Sequence, residues 1–509
     1  MPTSPLRPAA RSGLAAPVLR LGRFAPLGSF AVFALLAGFL AGACAAPGPG
    51  RPASAPDASG VPGGPDGAVS ANPAVPPPPT PPTPPIAGTD AEAMNRLAER
   101  YVRLVLAVGQ HDGNYVDAYY GPAAWREQAD AAGKRPLAEI RREAEALRSE
   151  IAGRPVPSEE VAGLRQRFLG RQLGALVARV DLLSGVKMSF DEESRALYDA
   201  VAPTLGEEHF RTLLGRLEEA LPGPADIPLP ARIEEFRRRF YVPADKLDAV
   251  FSAAIAECRR RTAGHVELPA GESFEVAYVR DKPWSAYNWY KGGFHSLIEV
   301  NSSLPVAIDR AVDLACHEGY PGHHAYNALL EKHLVRDRGW IEFTVYPLFS
   351  PQSLIAEGTA NFGIEVAFPG TERAAYERDV LFPLAGLDPA EAERYHRVTA
   401  LLQGLDYAGN EAARRYLDGR IDAKQAADWL VTYSLSSPER AVQRVGFFDT
   451  YRSYVINYNL GRDLVRAWVE AQGGTADRPE QRWEAFTRLL STPRLPSELA
   501  AASKPAAGR

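Results

Sequence analysis

Side chains capable of chemistry are most concentrated in one short stretch, "DLACHEGYPGHHAYNALL", residues 313 to 330. It holds three of the nine histidines of the 509-residue chain, with a glutamate directly after the first of them. In the H-E-x-x-H arrangement of zinc peptidases, the second histidine follows the first by four residues, so both bind one ion from the same helical face. Here Pro321 occupies that position. The stretch therefore predicts a catalytic metal site whose histidines have a different spacing. The alternatives are a structural metal site and a merely polar junction between two helices.

The segment "GYPG" between the histidines determines which of them can meet. Proline removes a backbone donor and disfavours the helical conformation of the residue before it, so the helix is interrupted and then resumes. Two residues inserted in this way place His323 beside His317. In an unbroken helix, His317 and His324 would share a face but lie about two turns apart, roughly 10 Å along the axis. The pattern favours His317 and His323 as the pair, with His324 supporting the site or contacting a substrate.

A third ligand is predicted in the stretch "SPQSLIAEGTANFGIEVAFPG". It reads as an apolar helix that begins after a Ser-Pro pair and stops at a Pro-Gly pair. Glu357, Asn361 and Glu365 recur along it every four residues and form a narrow polar line. Burying a carboxylate is costly unless it is paired or binds a cation, and metal binding by Glu357 would offset that cost. Asn361, one turn later, is expected to hydrogen-bond a ligand histidine.

These motifs, together with "YNLG" near the C-terminus, resemble the DUF885 family of bacterial proteins. The pattern of that family, H-E-x-x-P-G-H followed by E-G and later Y-x-x-G, is similar to an expanded form of the gluzincin H-E-x-x-H motif. The resemblance extends over roughly residues 95 to 495. It implies that His317, His323 and Glu357 bind zinc, that Glu318 is the general base, and that Tyr458 donates a hydrogen bond to the transition state.

The resemblance also implies a fold and a substrate class. The fold would be a large helical zincin-like body, of the gluzincin or neurolysin type, with a deep cleft suited to short peptides. The family often has an aromatic residue after E-G, where this chain has Thr359. This difference from the family pattern affects the expected substrate pocket but not the expected zinc ligands.

Several aromatic and sulfur side chains near these motifs have alternative explanations. Tyr454 and Tyr458 lie at helical spacing, so packing alone would explain them, whereas in an active site Tyr458 would be the catalytic phenol and Tyr454 a supporting or substrate-contacting group. Cys316 is expected to be a buried packing residue rather than a zinc ligand, since thiolates at zinc sites usually occur in pairs. Three cysteines are also too few for a disulfide framework. Four aromatic residues could line a cleft or belong to the core, namely Trp284, Tyr287, Trp289 and Tyr290.

The elements that must position these residues are mostly helices. From about Asp90 onward, apolar residues recur at intervals of three and four with charges between them, as in amphipathic helices. Strand signals are confined to "SFEVAYVRD" and "FHSLIEVN", just before the histidines. The prediction is a mainly α protein with a small β-sheet near the metal site, in which a strand over residues 293–301 could pair with an extended peptide backbone. An N-terminal helical lobe, residues 89–265, would continue into a metal-site lobe, residues 266–500, as one catalytic domain.

The first 88 residues predict export and tethering rather than a folded element. Residues 1–43 contain four arginines followed by a short uncharged apolar run, as in a signal peptide. The run ends "LAGAC", which resembles a bacterial lipobox and predicts lipidation of Cys44; the alternative is ordinary cleavage that leaves a secreted protein. Residues 44–88 are rich in Pro, Ala and Gly and predict an extended linker. The expected location is the bacterial cell envelope, facing the periplasm or the exterior.

Composition narrows the range of functions. The formal net charge is -5, without the concentrated basic face that a nucleic-acid backbone requires, so no nucleic-acid partner is expected. The hypothesis is a zinc-dependent metallohydrolase, a peptidase with short peptide substrates and a lipid anchor in the membrane. The alternatives are a metal-binding scaffold lipoprotein without catalysis and a zinc esterase or amidase.

Overall fold

Helices dominate the computed structural model, which describes residues 90–502 except 225, 283 and 304. The predicted mainly α fold with small sheets is confirmed. The signal peptide, Cys44 and the linker of residues 44–88 lie outside the described residues. The described part belongs to one compact unit. Within it, no helix is both long and apolar enough to cross a membrane.

Eight helices precede the main sheet. Their amphipathic spacing is clear in the first, where Leu97, Tyr101, Leu104 and Val108 are all buried on one face. The eight are α1 (Asp90–Gly109), α2 (Ala123–Ala132), α3 (Leu137–Ala152), α4 (Glu160–Leu183), α5 (Phe190–Tyr198), α6 (Glu207–Ala220), α7 (Leu229–Arg238) and α8 (Leu247–Ala263).

Twelve further described helices follow the sheet and carry most of the site. They are α9 (Asp309–Leu314), α10 (His323–Leu330), α11 (Pro351–Ala367), α12 (Glu372–Tyr376), α13 (Phe382–Ala385), α14 (Ala392–Gln403), α15 (Ala408–Leu417), α16 (Ala423–Tyr433), α17 (Pro438–Tyr451), α18 (Ile456–Ala471), α19 (Pro479–Leu490) and α20 (Pro496–Ala502). Single π-helical turns follow α9, α10 and α12.

The strands form two small sheets. Strands β1 (Val116–Tyr119) and β5 (Val345–Pro347) pair antiparallel. Strands β2 (Ser273–Val279), β3 (Ala286–Gly292) and β4 (His295–Asn301) form the other sheet in the order β2-β4-β3, with β2 parallel and β3 antiparallel to β4. The two strands predicted from the sequence are β2 and β4.

One expectation about this sheet is wrong. The sequence suggested that a strand over residues 293–301 could pair with an extended peptide. In the structure β4 is the middle strand, and both of its edges are occupied by β2 and β3. The strand edges left open in this sheet belong to β2 and β3 instead.

Two glycines bring α11 and α18 into direct backbone contact. A Cβ added to Gly358 would lie 2.5 Å from the backbone of Gly461, and one added to Gly461 would lie 2.7 Å from the carbonyl oxygen of Leu354. Any side chain at either position would push the helices apart. These are the glycines of the "EG" and "YNLG" motifs, so the motifs hold Glu357 next to the tyrosines of α18 and the turn before it.

A disulfide joins α8 to the turn that carries His317. Cys258 and Cys316 are 58 residues apart in sequence and 5.6 Å apart between Cα atoms. The expectation that Cys316 is only a packing residue is therefore wrong. The bond connects the first ligand turn covalently to the N-terminal half of the protein.

Candidate metal centre

The two histidines are brought together by an irregular turn between α9 and α10. Helix α9 widens into a π-helical turn, Ala315–Gly319, which carries His317 and Glu318. The chain then reverses through a cis Tyr320–Pro321 peptide, and α10 begins at His323. Gly322 is essential for this path, because an added Cβ would lie 1.9 Å from the carbonyl oxygen of His317. The predicted interruption of the helix between the two histidines is present.

Three predicted ligands converge on one point. The Nε2 atoms of His317 and His323 lie 3.1 Å apart. Glu357 Oε2 is 3.4 Å from His317 Nε2, and Glu357 Oε1 is 3.9 Å from His323 Nε2. One donor atom from each side chain lies within 4.8 Å of the other two. Two imidazoles and a carboxylate are a donor set that zinc commonly takes in hydrolases, with a fourth position open.

The hydrogen bonding of Glu357 also fits a metal ion. Its Oε1 accepts a 2.9 Å hydrogen bond from the hydroxyl of Tyr454. Its Oε2 is buried and accepts no hydrogen bond from any residue in the described part of the chain. A buried carboxylate oxygen without a donor is costly, and a cation between this oxygen and the two imidazoles would remove that cost. The residues present therefore fit a bound zinc ion.

The surroundings shift the pKa values of the three converging side chains in different directions. Burial, together with the nearby charge on His317, lowers the pKa of His323 to about 4, so its ring is neutral and able to bind a metal. Burial also opposes the charged form of His317, but its contact with Glu357 and the nearby Glu318 carboxylate outweigh burial and raise its pKa. Burial raises the pKa of Glu357, yet the contact with His317 outweighs it and the net shift is downward.

Glu318 lies beside the three ligands and is only 5 % exposed. Its backbone carbonyl accepts a 2.7 Å hydrogen bond from the Asn288 side chain of β3, which ties the ligand turn to the sheet. Burial raises the pKa of the Glu318 carboxyl to about 7, against the opposing charge of His317. A carboxyl group with a pKa near neutrality can both accept and release a proton.

Tyr454 and Tyr458 both face the ligands. Tyr454 lies in the turn between α17 and α18, and Glu193 of α5 secures that turn by accepting hydrogen bonds from the Ser453 backbone amide and hydroxyl. The rings of Tyr454 and Tyr458 lie 5.8 Å apart. Burial, with the charge of Glu357 second, raises the pKa of both phenols well above the usual value, so each keeps its proton.

His324 is oriented away from the ligands. It is fully buried, its Nδ1 lies 2.8 Å from the hydroxyl of Ser296 on β4, and its Nε2 lies 3.0 Å from Glu272 Oε2. Glu272 also accepts hydrogen bonds from Tyr320 and Arg259. The expectation of a substrate contact is wrong, because no substrate could reach this ring. The predicted supporting role remains, because His324 anchors the first turn of α10 to the sheet.

The other two residues on the polar line of α11 lie outside the candidate metal site, and the predicted role of Asn361 is wrong. Asn361 donates to the backbone carbonyls of Glu357 and Tyr458, at 3.0 and 3.2 Å, and not to a ligand histidine. It therefore joins α11 to α18. Glu365 forms an ion pair with Arg466 of α18. Only Glu357, of the three, enters the metal site.

Asp117 on β1 is a site residue that sequence reasoning missed. Its side chain accepts a hydrogen bond from the hydroxyl of Tyr287 on β3. Burial raises its pKa to about 6, with a further contribution from the charge of Glu357. The segment "NYVDAYYG", an aspartate flanked by aromatic residues, was the available signal. Without the pairing of β1 and β5, nothing in the sequence linked it to the histidines.

Of the four aromatic residues before the histidines, three are partly exposed and one is buried in the core. Trp284, Tyr287 and Trp289 pack on one another and are only partly buried, with ring centroids 4.6 Å apart for Tyr287 and Trp289. Tyr290 is buried and donates to Glu331. The first three lie on β3 and the loop before it, on the same strand that contacts the ligand turn.

Comparisons with known proteins give distant likenesses only. No family model matches the sequence, and no curated protein matches it. One similar solved structure is a candidate lipoprotein from Colwellia psychrerythraea, with 17% identity and a TM-score of 0.47, covering 82% of this chain and 76% of that one. Another is a candidate lipoprotein of unknown function from Shewanella oneidensis, with 10% identity and a TM-score of 0.39, covering 72% of this chain and 76% of that one. Function is therefore inferred from the geometry of the site itself.

Proposed function

We propose that this protein is a zinc-dependent metallohydrolase that cleaves short peptides in the bacterial cell envelope. The observation that supports this most directly is the convergence of His317, His323 and Glu357 on one point, with the buried Glu318 carboxyl beside them. A structural zinc site is closed by four protein ligands and needs no base. Here three donors meet, and a carboxyl suited to proton transfer lies next to them.

The proposed mechanism divides the chemistry between ion and protein. Zinc held by His317, His323 and Glu357 would act as a Lewis acid on the attacking water and the scissile carbonyl. Glu318 takes the proton of the water and passes it to the leaving amine. Tyr454 holds Glu357 through its hydroxyl, which orients the ligand carboxylate.

Tyr458 is the better candidate for stabilising the oxyanion. The hydroxyl of Tyr454 is already committed to Glu357, whereas that of Tyr458 makes no hydrogen bond to any residue that the structure describes. Its pKa is raised by burial, so the phenol stays protonated and can donate. A donor aimed at a developing negative charge in a buried site contributes strongly to rate.

An extended peptide backbone would be bound at the edge of β3 rather than β4. β3 is an edge strand, and its Asn288 contacts the carbonyl of Glu318. Main-chain pairing with a strand edge holds a peptide in a fixed register. Its scissile bond would then lie beside the ligand turn.

Purified protein is expected to contain one zinc ion per chain and to cleave members of a mixed short-peptide library, with loss of cleavage after chelation and recovery when zinc is returned. Elemental analysis gives the stoichiometry, and mass spectrometry of the products identifies the cleaved bonds. The same mixture should contain simple esters. Turnover of esters alone would indicate an esterase, and zinc binding without turnover of any substrate would indicate a scaffold.

The anchor is a separate proposal, resting on the lipobox-like sequence before Cys44. We expect the wild-type protein to sediment with membranes and the Cys44→Ser variant to appear in the soluble fraction or to remain unprocessed. Each acyl methylene buried in the bilayer contributes about 0.8 kcal/mol, so the loss of lipid is a large change. Fractionation followed by immunoblotting measures it. Wild-type protein found wholly in the soluble fraction would contradict lipidation.

A further inference from the structure

Arg444 on α17 is an unusual cation near the candidate metal centre. It is partly buried, and its guanidinium lies over aromatic rings, 4.4 Å from the ring centroid of Phe447 and 6.0 Å from that of Tyr458. Within residues 90–502 as described, it has neither an ion pair nor a hydrogen bond to a carboxylate. Its closest contacts are ring faces, and the Asp406 carboxylate acts on it only from beyond ion-pair distance.

Two other arginines, Arg462 and Arg310, are paired with carboxylates. Arg462 lies 3.6 Å from Asp406 and 3.2 Å from Asp463, and Arg310 lies 3.0 Å from Asp313. Burial lowers the pKa of Arg444 and outweighs the opposing effects of Tyr458 and Asp406. A partly desolvated guanidinium is costly without an anion, and a planar guanidinium matches a carboxylate through two parallel hydrogen bonds. The missing partner is best supplied by a ligand.

A short path connects Arg444 to the ligands. The ring of Tyr458 lies under the guanidinium, the ring of Tyr454 is 5.8 Å further on, and the hydroxyl of Tyr454 is 2.9 Å from Glu357. Two aromatic rings therefore separate the cation from the ligand carboxylate. An extended peptide spans about 3.3 to 3.6 Å per residue, so a few residues cover this distance.

We propose that Arg444 binds the free α-carboxylate of a peptide substrate, so that the enzyme releases C-terminal fragments of about one to three residues. This deepens the proposed peptidase function and rests on it. Arg444 forms no ion pair with any residue that the structure describes, and it would draw the end of the chain to the other side of Tyr458.

Binding can be measured separately from turnover. The zinc-loaded Glu318→Gln variant is titrated calorimetrically with N-acetyl-trialanine as its free acid and as its C-terminal amide. We expect the free acid to bind at least about 10-fold more tightly, as is typical of a charge-assisted bidentate contact. When Arg444→Met is combined with Glu318→Gln, the difference in affinity between acid and amide should disappear. Arg444→Lys in the same background should retain part of that difference. The exposed Arg440, one turn earlier on α17, provides the control, and Arg440→Met should leave the difference unchanged.

Activity then gives an independent readout. In an otherwise wild-type background, Arg444→Met should raise KM for free-acid peptides by about 10-fold or more with a smaller effect on kcat, and amidated peptides should be poor substrates for both proteins. Far-UV circular dichroism and thermal unfolding check that the variant is folded. N-terminal acetylation should have little effect.

The possible results separate the two proposals. Equal binding of acid and amide, or discrimination that survives Arg444→Met, overturns the assignment of Arg444. A requirement for a free amino terminus would overturn it too and would move recognition of the chain end to Asp117. If acid and amide are distinguished through Arg444 but no peptide is cleaved by the wild type, the carboxylate site stands and the peptidase function fails.

Discussion

Replacing Glu318 by Gln is expected to reduce peptide hydrolysis by about 10² to 10⁴ while leaving the zinc content unchanged. Glu318 is buried beside the ligands but is not one of them, and burial raises its pKa to about 7. Glutamine keeps the shape of the side chain and removes its ability to take a proton. A base can therefore be removed without emptying the metal site, which separates a catalyst from a metal-binding scaffold.

The measurement is single-peptide kinetics on zinc-loaded protein, with elemental analysis of the same samples. Glu365→Gln is the matched control, since it makes the same chemical change on α11 at a carboxylate paired with Arg466 and outside the ligand set. It should keep nearly full activity. Cleavage that persists in Glu318→Gln at the wild-type rate would refute the proposed base, whereas loss of zinc in that variant would show that Glu318 acts as a ligand.

His317→Ala and His323→Ala are each expected to abolish stoichiometric zinc binding and, with it, hydrolysis. Each removes one of three donors that lie within 4.8 Å of one another, and two remaining donors hold the ion poorly. Glu357→Ala should weaken binding and also leave the hydroxyl of Tyr454 without its acceptor. Native mass spectrometry of zinc-titrated protein gives the occupancy of each variant.

His324→Ala is the control for this series, because it removes an adjacent histidine that is oriented toward Glu272 and Ser296. We expect it to retain zinc and to lower the free energy of unfolding by about 1 to 3 kcal/mol, since the buried Glu272 loses one of its donors. Chemical denaturation measures this loss. A His324→Ala protein without zinc, alongside a His323→Ala protein that retains it, would invert the ligand assignment.

Part of the fold and of the candidate metal site could be predicted from interactions between residues close together in the sequence. Helical periodicity depends on residues three and four apart, and it indicated a mainly α chain whose helices the structure confirms. The Pro-Gly interruption acts on its immediate neighbours, so the pairing of His317 with His323 followed from spacing alone. The structure places their Nε2 atoms 3.1 Å apart. Glu357 stood out because a carboxylate on an otherwise apolar helix needs a partner.

Strand pairing shows where local patterns stop being informative. Alternation of apolar residues identified β2 and β4, but the order of strands in a sheet depends on which other segments fold against them. The aromatic segment of β3 has the composition of either core or cleft, and its pairing leaves β4 in the middle of the sheet. Asp117 likewise reaches the site only because β1 pairs with β5, more than two hundred residues later in the chain.

The sequence by itself therefore determined the candidate ligands, the spacing of the two histidines across the break and the helical character of the chain, since each depends on neighbours within a few residues. Only the tertiary structure decided that His324 faces Glu272, that Cys258 is bonded to Cys316, and that the Gly358–Gly461 contact brings Glu357 to Tyr454. It alone also shows that Arg444 lies against aromatic rings and forms no ion pair among the described residues. Such features depend on which distant segments pack together and on what each buried polar group then finds within hydrogen-bonding distance, and no periodicity in the sequence encodes that.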